Sequence, residues 1–203
     1  MNKTKTCMTA VDSELGSPSR RRIFKIAAAG FAAGVGFNGR LAQANSESAQ
    51  GPRVVTGDRL VEEDAEGEVV PLKASDLTVG RPMLAFPYDA AAKHARTDSR
   101  LNKVVLLRLP EEELDADSKA LAAGGVLAFS AICTHQGCDL KTWMKGERVL
   151  ACFCHSSKFD PLKAGKVVGG PAPRALPVLP LRLEGDEIVV AGEFTAAPGA
   201  ALQ

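Results

Sequence analysis

The sequence predicts an all-β fold of antiparallel strands, on three observations. Its apolar, β-branched runs are short. Gly, Pro and Asp separate them, and the chain carries 19 Gly and 12 Pro but only 5% aromatic residues, a composition that favours many turns over long packed helices. At 203 residues, 45% apolar and 24% charged, it can bury a hydrophobic core in one domain or at most two.

The front end, residues 1–44, holds seven Lys/Arg against two acids, whereas the remainder holds 18 basic and 22 acidic side chains. That remainder has no basic surplus to bind phosphate backbones, which argues against nucleic acid as a partner. Within the front end, "SRRRIFK" (Ser19 to Lys25) precedes an Ala/Gly-rich apolar run, Ile26 to Phe37, and then "LAQA" ending at Ala44. This stretch resembles a twin-arginine export signal: Arg20 and Arg21 form the pair, Ile23 stands where such signals usually have Phe, and Ala42-Gln43-Ala44 offers small residues to a signal peptidase. The twelve-residue apolar run falls short of the about 20 residues a span needs. Cleavage near Ala44 is therefore expected, with a retained leader, and so membrane association, as the alternative. The resemblance implies the twin-arginine translocase as a partner, a periplasmic destination and a cofactor loaded before export.

Residues 45–52, rich in Ser, Gln and Asn, read as a linker. From residue 53 to 203 the chain reads as one domain. Strands are expected at Glu68–Leu72, Met83–Phe86, Lys103–Leu109, Val126–Ala131, Arg148–Cys152 and Ile188–Val190. "LRLEGDEIVV" predicts a hairpin reversing at Gly185-Asp186. Two segments interrupt the strands: Ala90–Asn102, and the acidic stretch from Pro110, which reads as a solvated loop with a short helix as the alternative.

Four of the five cysteines and two of the three histidines fall in "CTHQGC" (133–138) and "CFCHSS" (152–157). Cys133 and His135, then Cys152 and His155, place soft sulfur and borderline nitrogen donors on two loops that can converge. A tetrahedral zinc ion would accept those four donors. Zinc leaves Cys138 and Cys154 unexplained. Their placement suggests a disulfide joining the loops, which an exported protein can keep. The remaining cysteine, Cys7, lies in the leader, and the remaining histidine, His94, reads as an exposed loop residue.

The two boxes, together with "GPAP" at Gly170–Pro173, resemble those of the Rieske iron–sulfur proteins, and the likeness covers roughly the second half of the chain. It implies the Rieske fold: an antiparallel β-sandwich or barrel base with a small cluster-binding subdomain, here about residues 131–174. It also implies one 2Fe-2S cluster, with Cys133 and Cys152 on one iron, His135 and His155 on the other, and a Cys138–Cys154 bridge. Two neutral imidazoles in place of two thiolates leave such a cluster less negative, at about −150 to +300 mV. The potential is expected to fall with rising pH as oxidation drives protons off the ligand imidazoles.

The resemblance extends to the surroundings of the cluster. Ser157 occupies the place of a hydroxyl that bonds a bridging sulfide in high-potential members, and Phe159 stands where those members carry a Tyr that bonds a cysteine sulfur. An intermediate potential is therefore expected. Gly170, Pro171 and Pro173 form the covering Pro loop. Phe153 replaces a common Pro, and Gln136 a common Leu or Met. "LTVGRPMLAFPY" (77–88), "CHSSKFDP" and the leader resemble the small Rieske subunit of arsenite oxidase and its relatives. That likeness implies a large molybdopterin-containing subunit as partner and a cytochrome c or copper protein as soluble electron acceptor. No Ser/His/Asp set or phosphate loop is present, so the chain is read as an electron-transfer subunit with no catalytic centre of its own. The Rieske subunit of a quinol-oxidising cytochrome bc complex is the competing reading, and a zinc-stapled interaction module the alternative of another class.

Overall fold

A computed structural model describes residues 54–64 and 69–200. The expected leader, the linker and Cys7 lie outside the described residues. Among those described, no helix is long and apolar enough to cross a membrane.

The larger sheet contains β1 (Arg59–Glu62), β2 (Met83–Asp89), β3 (His94–Ala95), β4 (Val104–Arg108), β5 (Val126–Ser130), β10 (Val178–Leu179), β11 (Leu181–Glu184) and β12 (Glu187–Val190). Its order is β10-β5-β4-β2-β1-β12-β11, with β3 beside β2, and every pairing is antiparallel. The two ends of this path, β10 and β11, are consecutive in sequence across Pro180, so the sheet curls into a barrel-like base. The expected hairpin is present, with Leu183 opposite Ile188 and Glu184 opposite Glu187.

Strand β4 explains why its sequence reads as an uninterrupted apolar run. Val104 and Leu106 enter the interior of the base with Leu60, Ala85, Val126, Ala128, Ile188 and Val190. Val105 and Leu107 point the other way, into a second core with Leu127, Phe129, Leu150 and Phe159. A strand covered on both faces has no reason to alternate. Pro87 is tolerated within β2 because β4 pairs only with Met83 to Ala85. Its missing N–H falls beyond the end of that ladder.

The second core belongs to a lobe inserted between two hydrogen-bonded neighbours. β5 ends at Ser130, and β10 returns to pair with it, Val178 opposite Phe129. The intervening chain forms a four-stranded antiparallel sheet, in the order β6 (Thr142–Met144), β7 (Val149–Cys152), β8 (Ser157–Asp160), β9 (Lys166–Gly169). Because the lobe leaves from one strand and returns to the next, the base fixes both of its ends.

Strands β1, β3, β6, β8 and β9 were not expected, and two expected elements differ. Residues 69–72 are not a strand, although Leu72 bonds Leu60 and Ile188 through its backbone. The acidic stretch carries a short helix, α1 (Ala116–Leu121), capped by the Asp115 carboxylate on the Ser118 N–H. Ser118 itself is fully buried, and its hydroxyl accepts the Ala164 N–H at 2.7 Å. A tertiary contact, rather than helix propensity, therefore holds this turn against the lobe.

Candidate metal centre

Two loops at the tip of the lobe carry the sequence-predicted site. The first, 133–138, is closed on itself: the Cys133 N–H donates to the Cys138 carbonyl at 2.8 Å and the Gly137 N–H to the Cys133 carbonyl at 3.0 Å. That closure needs the left-handed backbone of Gly137, φ +74°. The second loop is the β7–β8 connection. Its register sets Cys152 opposite Ser157, leaving residues 153–156 as the turn.

A Cys138–Cys154 disulfide joins the loops. Cys133 and Cys152 remain free thiols, both buried. The Cys138, Cys152 and Cys154 sulfurs lie within 4.8 Å of one another, but the disulfide occupies two of them, so this trio is not an ion site. The bridge instead packs beside a free thiol. His135 and His155 meet edge to face, with ring centroids 4.7 Å apart. His155 is exposed and His135 half-buried. The donors thus come in two like pairs, thiol near thiol and ring against ring.

Thiolates at this end would need a cation to stabilise them. Burial is the largest influence on the Cys133 thiol and pushes it above its usual range; the His135 backbone N–H pulls against that, the neighbouring Cys152 thiol adds to the rise, and the Ser157 hydroxyl opposes it. Ligation requires the thiolate, so positive charge must arrive with the group that binds. Two further atoms lack a partner. His135 Nδ1 and Ser157 Oγ are both buried with no partner in hydrogen-bond geometry. A buried polar atom left unpaired costs about 1–3 kcal/mol. A group bearing both metal and sulfide would offer His135 Nδ1 a metal to bind and the Ser157 hydroxyl an acceptor.

The cover is the Pro loop. A side chain at Gly170 would put its Cβ 2.4 Å from the Ser156 carbonyl oxygen and 2.5 Å from Ser157 Cα. Only glycine lets the two backbones lie this close, so Gly170 seats the loop directly on the second box. Pro171 and Pro173 are exposed and Ala172 is buried. Phe159 is fully buried on β8, packed in the same core as Cys133 and Cys152. Phe153 is 71% exposed and Gln136 is also exposed; neither box contains a charged side chain other than its histidines. His94 is exposed, on β3.

Sequence reasoning missed two supports. Thr134, wholly buried between Cys133 and His135, donates its hydroxyl to the Arg174 carbonyl at 2.9 Å. Its signal was a polar residue enclosed by two candidate ligands. The other support is a network under the first loop: Arg100 donates to the Gly137 carbonyl at 2.8 Å and to Asp139 at 2.5 Å, and Lys103 bridges Asp139 and Glu63. Partial burial works against ionisation of Asp139, but the bonds from Arg100 and Lys103 outweigh it and hold the carboxyl below the usual carboxylate range. A groove lined by Glu62, Asp76, Arg81 and Lys141 among others includes none of the site residues.

The Rieske [2Fe-2S] domain family matches residues 92–180. A cytochrome bc1 complex Rieske iron-sulfur subunit of Streptomyces lividans is 30% identical over 135 residues, covering 64% of this chain and 79% of that protein. A putative respiratory nitrate reductase subunit Rieske of Haloferax mediterranei is 34% identical over 151 residues, 73% of this chain and 63% of that protein. Among solved structures, the plasma membrane Rieske protein of Synechocystis PCC 6803 aligns with 59% of this chain and 95% of its own at 23% identity, with a TM-score of 0.41. The chain belongs to the Rieske [2Fe-2S] family. It spans less than two thirds of the length of several curated relatives, down to 25%.

The cofactor of this family is a 2Fe-2S cluster of the Rieske type, and the paired donors and orphaned polar atoms fit it. When bound, such a cluster takes up and releases one electron at a mild potential. The chain's own residues shield it from water on the thiol side, and leave an imidazole at the surface.

Proposed function

We propose that Cys133 and Cys152 bind one iron and His135 and His155 the other, and that the chain relays electrons as the periplasmic small subunit of a larger oxidoreductase, of the arsenite oxidase type, to a cytochrome c or copper protein. The observation that carries this reading is the asymmetry of the tip: both thiols are buried while His155 is exposed. An electron leaves most readily where the cluster's ligand touches the surface, so His155 is the outlet. Phe153, exposed beside it, and the uncharged boxes form a face suited to docking by shape and apolar contact rather than by steering charges.

Two relatives frame the partner. The Haloferax protein is named as a subunit of a nitrate reductase, which supports an oxidoreductase outside the cytochrome bc complexes. The named bc1 Rieske subunits support the quinol-oxidising complex as a second reading. In the first, export by the twin-arginine route and cleavage near Ala44 release the subunit from the membrane. Purification of the native protein after fractionation separates the two. A soluble periplasmic complex with a molybdopterin-containing large subunit supports the first; recovery in membranes with cytochrome b overturns it.

A further inference from the structure

The segment after β12 reaches back to the lobe. The Thr195 N–H donates to the Val178 carbonyl at 2.9 Å, and the Val178 N–H donates back to the Thr195 hydroxyl at 3.0 Å. Past that point Pro198 and Gly199 are buried. Gly199 sits against Leu101 and Ile132, so closely that a Cβ there would lie 3.3 Å and 3.5 Å from their side chains. Ile132 is the residue that leads into Cys133. On the other side, Arg174 donates from Nη2 to the carbonyls of both Ala197 and Gly199, each at 2.6 Å. Arg174 directly follows the Pro loop, and its own carbonyl is the acceptor for Thr134. One segment thus touches the entry to the first ligand loop and the exit of the loop that covers it.

The chemistry of Arg174 is unusual for a residue at the surface of a lobe. Among the described residues it forms no ion pair with a carboxylate, and its Nη1 is buried with no partner. That buried end of the guanidinium is costly to leave unpaired. Its two carbonyl bonds are charge-assisted and about twice as strong as neutral ones, and they form only if residues 197–199 lie where they do. The side chain therefore acts as a clasp, whose closure depends on the segment it holds.

We infer that residues 196–200 are a strap, fastened by Arg174, that keeps the Pro loop and the first ligand loop closed over the cluster. Arg174 is a positioning residue: it acts through Thr134 and the Pro loop and touches no ligand side chain. The inference rests on the proposed four-residue ligation. When the strap opens, the loops part, water reaches the thiol end, and the cluster's surroundings change in both oxidation states.

The test uses the full chain with its native cluster, an Arg174→Lys variant, a chain stopped after Thr195, and the two changes combined. Lysine keeps the charge but cannot reach both carbonyls as the planar fork does. Loss of one charge-assisted bond corresponds to about a tenfold change in the opening equilibrium. Visible absorbance should therefore bleach about tenfold faster in excess chelator for Arg174→Lys and by at least as much for the shortened chain, which loses both bonds, with the combination no faster than the shortened chain alone. The midpoint potential should move in the same direction in both, a readout that a purely structural prop would leave alone. Wild-type bleaching and potential in either single variant overturn the inference. So do additive effects, or a shortened chain that does not fold, since the segment would then belong to the fold rather than to the lobe's closure. If the wild-type protein shows no iron–sulfur signal, it is the ligation that fails instead.

Discussion

Replacing Ser157 by Ala should have opposite effects on the protein with and without its cluster. Ser157 is fully buried, and no protein group bonds its hydroxyl. With the cluster removed, that hydroxyl is a desolvated donor without an acceptor, at a cost of about 1–3 kcal/mol. Alanine keeps the Cβ packing and removes the cost. The cluster-free variant should therefore be more stable by about 1 kcal/mol, or about 2–4 °C in melting temperature for a domain of this size. With the cluster present, the hydroxyl donates to sulfur that is more negative in the reduced state. A bond to a charged acceptor is worth about 1.5–3 kcal/mol; if roughly 1.4 kcal/mol of this distinguishes the two oxidation states, the potential falls by about 59 mV for one electron. Thermal unfolding of the stripped protein and redox titration of the loaded one measure the two arms. Destabilisation of the stripped variant together with an unchanged or raised potential would refute the reasoning.

Phe159→Tyr should raise the potential, by about 50 mV, if the new hydroxyl bonds a cysteine sulfur as implied by the pattern of the high-potential relatives; an unchanged potential leaves Phe159 as packing alone. Gly170→Ala forces a Cβ to within 2.4 Å of the Ser156 carbonyl oxygen at a backbone φ of +77°. Its combined overpacking and strain, about 2–4 kcal/mol, should appear as reduced cluster occupancy by iron analysis, and full occupancy would mean the Pro loop is not seated as described. The Asp139 carboxyl is held below the ordinary range, so its contribution is fully present above about pH 4 and lost as pH falls through its folded value. With 54% of its side chain exposed that contribution is small, at most about 1 kcal/mol. Acid titration of stability should be flatter in Asp139→Asn, and identical slopes would remove the network's role.

The site was more legible in the sequence than the fold that carries it. Candidate ligands could be picked from residue type and spacing, Cys133, His135, Cys152 and His155, and the structure joins the remaining pair, Cys138 and Cys154, in the expected disulfide. Gly170 could be placed by its motif, though the reason for it, contact with the Ser156 and Ser157 backbone, is tertiary. Strands covered on both faces, β4 and β5, were readable as apolar runs. β8 was not, because in "SKFD" only Ser157 and Phe159 turn inward, and four residues give too short a period to recognise. β1, β6 and β9 are equally short, and each is stabilised by its neighbours in the ladder rather than by its own composition. The run ending at Leu72 looked like a strand, but it makes isolated backbone bonds to Leu60 and Ile188 instead of a ladder. Nothing in the sequence marked the Arg174 contact, since its acceptors are backbone carbonyls, which every residue possesses.

Iron and acid-labile sulfide analysis of the purified protein, paired with the EPR spectrum of its reduced form, tests the central claim most directly. The proposed ligation predicts two irons and two sulfides per chain, with a spectrum of a mixed histidine–cysteine centre that disappears on replacing His155 by Cys or Ala. One zinc per chain with no sulfide and no EPR signal would contradict it.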